Sequence, residues 1–323
     1  MNMEDLQDPP RNSTGSLADL VGRHREFLSL EWKERTPAEI SEKFKETYGW
    51  LPAIRMELSK EQLQCDVLHR ARWVDPASED ISDPVTFSYP RTRDRQVMGR
   101  ANLAGVPVFY ACGSANSSFA EARSAQMDDR SKLMRSEWKF ADDRKWLVGA
   151  MIKHGDLAGN AVLHEAWGSA LREYILKCDR IPQEHILLLH DLVAELFLQQ
   201  NYEVTSWIAH QLMQEIELVQ MLMYPSLRTA QQDLCHAFHA APIDQGRVAL
   251  SRVEQVEMIG DDHRSIRTGI MCDGRIEWVE GSGTTGGACD RGTASTHCDV
   301  ISSKSLFLPP TDRGGSQSIR SFP

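Results

Sequence analysis

Residues 91–123 read RTRDRQVMGRANLAGVPVFYACGSANSSFAEAR. The stretch joins an arginine cluster, a turn flanked by Gly99 and Gly105, an apolar run, and Glu121 at the start of a helix or within one. Val106, Val108 and Tyr110 alternate with Pro107 and Phe109, so both faces of the run are apolar. A strand of that kind is a central one, covered on both sides.

Working outward, residues 145–152 (KWLVGAMI) read as a second buried strand, and residues 219–224 as a third that stops at Pro225. Val248 to Ile259 alternates like a strand. Asp273-Gly274, between the apolar runs 267–271 and 275–278, is a favoured two-residue hairpin turn. Three segments between these strands keep helical spacing: Trp167, Leu171, Tyr174 and Ile175; Ile186, Leu189, Val193, Leu196 and Phe197; Trp207, Ile208, Leu212, Met213 and Ile216. The order is helices, strands, helices, strands. That predicts an α+β domain rather than a doubly wound sheet.

Toward the N-terminus, Thr36-Pro37-Ala38-Glu39 is a capping box with proline at the first helical position. Ser59-Lys60-Glu61-Gln62 offers a second such box. Residues 16–65 are therefore expected to form a small helical segment after a flexible arm at 1–15. Residues 66–94, rich in Asp, Pro, Ser and Arg, are expected to be loops joined by short strands. Residues 66–280 hold the main domain, and 281–323 turn Gly-, Ser- and Thr-rich, the composition of a flexible tail.

Composition narrows the function classes. A hydrophobic content of 41% and a charged content of 25% fit a soluble globular protein. No apolar run reaches membrane-spanning length, and the first residues lack a signal-peptide pattern, so a cytoplasmic protein is expected. The seven cysteines are odd in number and include no C-x-x-C pair, which fits reduced thiols. A formal net charge of -10 argues against nucleic acid as a partner. Positive charge is nonetheless concentrated at Arg70, Arg72, Arg91, Arg93, Arg95 and Arg100, enough to hold a small anion.

Two cysteine–histidine groupings, Cys235-His236-x-x-His239 and Cys272 with Cys289, His297 and Cys298, match no compact zinc spacing, so no metal is expected. The run Gly281-Ser-Gly-Thr-Thr-Gly-Gly lacks the lysine of a phosphate-binding loop and reads as a linker.

One set of residues carries a resemblance. Leu68-His69-Arg70-Ala71-Arg72 is followed by Gly99-Arg100-Ala101-Asn102-x-x-Gly105-x-Pro107-Val108-Phe109-Tyr110, and then by Glu121. Later come Tyr202-x-x-Thr205-x-x-x-Ala209 and Tyr224-Pro225-Ser226. This order resembles the RES domain family and spans roughly residues 66 to 280. The resemblance implies an ADP-ribosyltransferase-like mixed sheet and NAD as the substrate rather than a prosthetic group. It also implies cleavage of the nicotinamide–ribose bond by hydrolysis or phosphorolysis, as in toxins whose partner is an antitoxin protein. On that pattern Glu121 and Arg70 are catalytic, and Arg72, Gly99, Arg100, Asn102, Tyr110 and Ser226 bind NAD. Tyr89, among loops, is a further candidate for stacking on nicotinamide. The chain departs from the family pattern at His69, where tyrosine is common, and at Ala101, where tryptophan is frequent.

The chemistry is consistent with these residue types. A pyrophosphate suits guanidinium groups that donate two parallel hydrogen bonds. Breaking the glycosidic bond develops positive charge on the ribose, which a carboxylate stabilises. The leaving nicotinamide is already cationic and needs no strong acid. Each residue also has a plainer role: Glu121 as a solvated helix residue, Arg70 and Arg72 as partners of Asp66 and Asp75, Gly99 and Gly105 as turn formers. Ser226 would N-cap a helix from Leu227, Tyr110 would be core, and Arg91, Arg93 and Arg95 would be supporting charge. Two alternative functions remain at this point: transfer of ADP-ribose to a macromolecule, and an inactive NAD-binding module.

Overall fold

The helix α1 (Leu17–Leu28) begins where Ser16 and Asp19 exchange hydrogen bonds in a capping box. The helix α2 (Pro37–Tyr48) starts the same way at Thr36 and Glu39 and ends on Gly49, whose φ of 84° suits only glycine. Phe27, Phe44 and Tyr48 pack between these helices, and Phe44 meets Trp207 with ring centroids 5.0 Å apart. The computed structural model describes residues 15–280, apart from 64, 92–96, 124–131, 179–180, 200, 216–218, 230–232 and 260–261.

The second capping pattern forms its bonds, Ser59 N to Gln62 Oε1 at 3.0 Å and Gln62 N to Ser59 Oγ at 3.4 Å, yet closes only a turn. Strand β1 (Arg55–Leu58) ends just before it and strand β2 (Leu68–Val74) starts soon after, leaving no room for a helix. The expectation of an all-helical 16–65 segment is corrected accordingly. Its last part belongs to the sheet.

The remaining strands are β3 (Val108–Cys112), β4 (Lys132–Phe140), β5 (Trp146–Ala150), β6 (Met221–Pro225), β7 (Leu234–His239), β8 (Val248–Ile259), β9 (Asp262–Cys272) and β10 (Arg275–Glu280). They form one sheet in the order β1-β5-β6-β7-β3-β2-β4-β8-β9-β10. Among the described strands only β5 and β6 pair in parallel. A parallel pair needs a long crossover, and here three helices lie within it. The helices are α3 (Ala115–Ala122), α4 (Ala161–Lys177), α5 (Gln183–Leu196), α6 (Tyr202–His210) and α7 (Ala240–Asp244), with α4, α5 and α6 inside the crossover. The architecture is α+β with a mixed sheet, as the element order predicts. The hairpin turn at Asp273 and Gly274 takes φ values of 47° and 79°, the left-handed pair a two-residue hairpin requires.

Trp146, Trp167, Trp207, Phe109 and Phe238 are fully buried along the sheet and its helices. Phe109 meets Trp138 at 4.7 Å, and Trp146 meets Phe238 at 5.6 Å. Truncating such a side chain costs about 3–5 kcal/mol.

One irregularity in the sheet matters most. β2 pairs with β4 along its whole length, but with β3 at a single position, His69 opposite Cys112. Beyond that rung the two central strands part.

Candidate functional site

The opening between β2 and β3 is a cavity of about 220 Å³. Three consecutive residues from each strand line it: His69, Arg70 and Ala71 from one, Tyr110, Ala111 and Cys112 from the other. Gly99 and Arg100 close it from the turn before β3, Ser118 and Glu121 from α3, Tyr202 from α6, Tyr224 from β6 and Cys235 from β7.

Arg70 spans the gap. Its Nη1 donates to the Tyr110 carbonyl at 2.8 Å, in place of the ladder bonds the strands no longer make. The guanidinium lies 5.4 Å from the centre of the Phe109 ring. Its Nε is buried and has no hydrogen-bond partner among the described residues. Burial, with the like charge of Arg72, lowers its pKa to about 10, so it stays cationic near neutral pH. Arg100 lies within 5.9 Å of the Tyr202 ring and 5.5 Å of the Tyr224 ring, with Nη1 3.5 Å from the Pro225 carbonyl. Among the described residues, neither Arg70 nor Arg100 has a carboxylate within salt-bridge distance. Two uncompensated cations at one cavity favour an anionic ligand.

Glu121 is set by its helix. Helix α3 is capped by Ser114, whose hydroxyl accepts from Ser117 N at 3.2 Å. The Asp233 carboxylate accepts from the hydroxyls of both Ser114 and Ser117, tying the helix start to the β6–β7 connection. At the other end Trp73 Nε1 donates to the Ala122 carbonyl at 3.1 Å. Phe119 and Ala122 pack on Leu133 and Val256, fixing the helix against the sheet. Glu121 Oε1 then accepts from Ser226 Oγ at 2.7 Å and from Cys235 Sγ at 3.6 Å. Ser226 is fully buried, and its own N–H donates to the Asp233 carbonyl at 2.8 Å. It caps no helix: its hydroxyl accepts from Arg228 N, within a turn.

The turn that carries Gly99 and Arg100 is locked to β3. Gly99 and Asn102 pair across it, Tyr110 donates its hydroxyl to Asn102 Oδ1 at 2.7 Å, and Ala101 N donates to Tyr110 Oη at 2.8 Å. A side chain at Gly99 would meet Asn102 Oδ1 at 2.8 Å and Tyr110 Oη at 2.9 Å, so only glycine fits without a shift. Gly105, with a φ of 78°, completes the turn. Burial raises the Tyr110 and Tyr224 hydroxyls far above their ordinary range. The thiol of Cys112, 3.8 Å from that of Cys235, together with burial, raises Cys235 likewise. Burial and the Arg135 charge lower the His69 imidazole, whose Nδ1 has no partner.

Among the residues picked from the sequence, the cavity brings together Arg70, Gly99, Arg100, Tyr110 and Glu121. Ser226 reaches it through Glu121 and Asn102 through Tyr110. Two picks go elsewhere. Arg72 is spent on Glu79, at 2.7 Å, and on the Thr86 carbonyl. Tyr89 donates to Asp244 at 2.7 Å and sits under the Arg91 guanidinium, with α7 and not with the cavity. Arg93 and Arg95 lie outside the described residues, as do Cys289, His297, Cys298 and the 281–323 tail. Among the described residues no His, Cys, Asp and Glu cluster fits a metal; His239 instead bonds Gln214 and starts α7.

Tyr202, Tyr224 and Cys235 line the cavity without having been assigned a role from the sequence. The two tyrosines stand in the motif residues, but β7, which presents Cys235, gives no alternation because it is buried on both faces. Comparison of the chain with protein-family models, with curated proteins and with solved structures gives no match. The likeness to the RES domain rests on the motif residues alone. Among the described residues no helix is long and apolar enough to cross a membrane.

Proposed function

We propose that this chain is a RES-type enzyme with an ADP-ribosyltransferase-like core that degrades NAD by breaking its nicotinamide–ribose bond. The observation that carries the reading is the meeting, in one cavity, of two arginines with no carboxylate partner among the described residues and a glutamate held by a buried serine. Arg70 and Arg100 supply guanidinium donors for the pyrophosphate. Glu121, oriented by Ser226 and Cys235, faces the positive charge that grows on the ribose as nicotinamide leaves. Water or phosphate takes the ribosyl carbon. A toxin role, with an antitoxin protein as partner, goes with this reading.

The test is incubation of purified protein with NAD and chromatography of the products. Free nicotinamide, with ADP-ribose or its phosphorylated form, is the expected result. NAD that stays intact, or label from NAD retained on protein, overturns it.

A further inference from the structure

Tyr202 stands apart from the other large apolar residues at the surface. Of Leu17, Val85, Val97, Leu176, Tyr202, Ile259, Ile270 and Val279, the described exposed ones, it alone is aromatic, with 37% of its surface accessible. It is also the only one of them that lines the cavity. Its backbone is fixed as the first residue of α6, where the Asn201 side chain accepts from Val204 N. An exposed, rigidly placed ring at the edge of a cavity offers a face for a flat ligand ring.

Charge decides which ring. The Arg100 guanidinium lies 5.9 Å from the centre of the Tyr202 ring. The nicotinamide ring of NAD is cationic, and placing it on Tyr202 would bring two positive charges close together. The adenine ring is neutral and meets no such penalty. Glu121 lines the cavity from α3, whereas Tyr202 lines it from α6, and beside a carboxylate a cationic ring is welcome. Resting on the NAD reading, we infer that Tyr202 is a substrate-binding residue that stacks the adenine base, leaving the nicotinamide ribose to the Glu121 side of the cavity.

The experiment measures NAD cleavage by the full chain and by Tyr202→Ala, Tyr202→Phe and Tyr202→Trp, with AMP and nicotinamide as competing inhibitors. In Tyr202→Ala the KM for NAD and the AMP inhibition constant both rise about tenfold, equivalent to about 1.4 kcal/mol. The value of kcat and the nicotinamide inhibition constant stay within about twofold. Phenylalanine and tryptophan restore binding, which a role for the hydroxyl would not allow. An AMP inhibition constant unchanged in Tyr202→Ala, absence of AMP inhibition in the unmodified chain, or nicotinamide inhibition weakened as much as AMP inhibition overturns the stacking while leaving NAD cleavage standing. A chain that does not cleave NAD at all overturns both.

Discussion

Two hollows in this molecule differ in size and in how far their charges are buried. The larger, about 690 Å³, lies between Leu51, Ala53, Arg55 and Glu57 on one side and helix α4 on the other. Its charged groups, Arg55, Glu57, Glu165, Glu173 and Lys177, are all exposed, and some pair locally: Lys177 with Glu173 at 2.8 Å, and Glu57 with Lys145 at 3.6 Å. Exposed charges keep their water, so their pairs contribute little and no ligand is needed to neutralise them. The smaller, between β2 and β3, holds Arg70 and Arg100, and among the described residues the Arg70 Nε has no hydrogen-bond partner and neither guanidinium a carboxylate. A desolvated, unmatched charge costs free energy unless something neutralises it. Volume marks a seam between elements, whereas unmatched charge marks a place for a ligand.

The sharpest way to break that contrast is Glu121→Gln. The substitution keeps shape and hydrogen-bonding capacity but removes the carboxylate that the proposed function sets against the ribose, and NAD cleavage is expected to fall by about 10²–10³-fold. A rate unchanged in a nicotinamide-release assay removes Glu121 from the chemistry. Next comes Arg70→Lys, which keeps a charge but loses the planar fork; kcat/KM for NAD should drop about tenfold to a hundredfold. Steady-state kinetics at low salt measure it, and an unaffected value means the buried guanidinium is only a strap between β2 and β3.

A third test separates the cavity from the core behind it. Strand β7 gives Cys235 to the cavity, while the next residue, His236, sits buried with its pKa lowered to about 4 by desolvation. The folded protein therefore takes up that proton near pH 4, the unfolded chain near 6.5. As pH falls through this window the unfolded state binds more protons, so stability declines, by up to about 3 kcal/mol. Denaturant midpoints of the unmodified chain and of His236→Leu, compared at pH 7.5 and 4.5, should show a smaller pH-dependent loss in the variant. An equal loss assigns the acid sensitivity to other groups.

The smallest effect belongs to the larger hollow. Lys177→Ala removes one of its cations, and NAD cleavage should stay within about twofold of the unmodified chain. A fall as deep as that of Arg70→Lys would erase the distinction between the two hollows.

Much of the fold could be read along the chain because it depends on neighbours in sequence. The capping box at Thr36, the apolar run of β3, the helical spacing around Trp167 and Trp207, and the Asp273-Gly274 hairpin all act within a few residues. β4 is not legible along the chain because Lys132, Arg135, Glu137 and Lys139 break its apolar pattern, although Arg135 is drawn inward by Glu254. β1 was hidden behind a capping pattern that closes only one turn.

Arg70 and Arg72 show where sequence stopped being enough. They are the same residue type, two positions apart on one strand, and nothing local separates them. Glu79 and the Thr86 carbonyl occupy Arg72, whereas the strand opposite Arg70 parts after one rung and leaves its guanidinium facing a cavity. By itself the sequence determined the types of most helices and several strands, the arginine-rich turn and Glu121 as a carboxyl group behind it. Only the tertiary structure decided which arginine stays unmatched, that Ser226 reaches Glu121, and that Tyr202 stands at the opening. Those outcomes depend on pairings between residues far apart in the chain, and a ladder that fails at one position is set by the packing of the whole sheet.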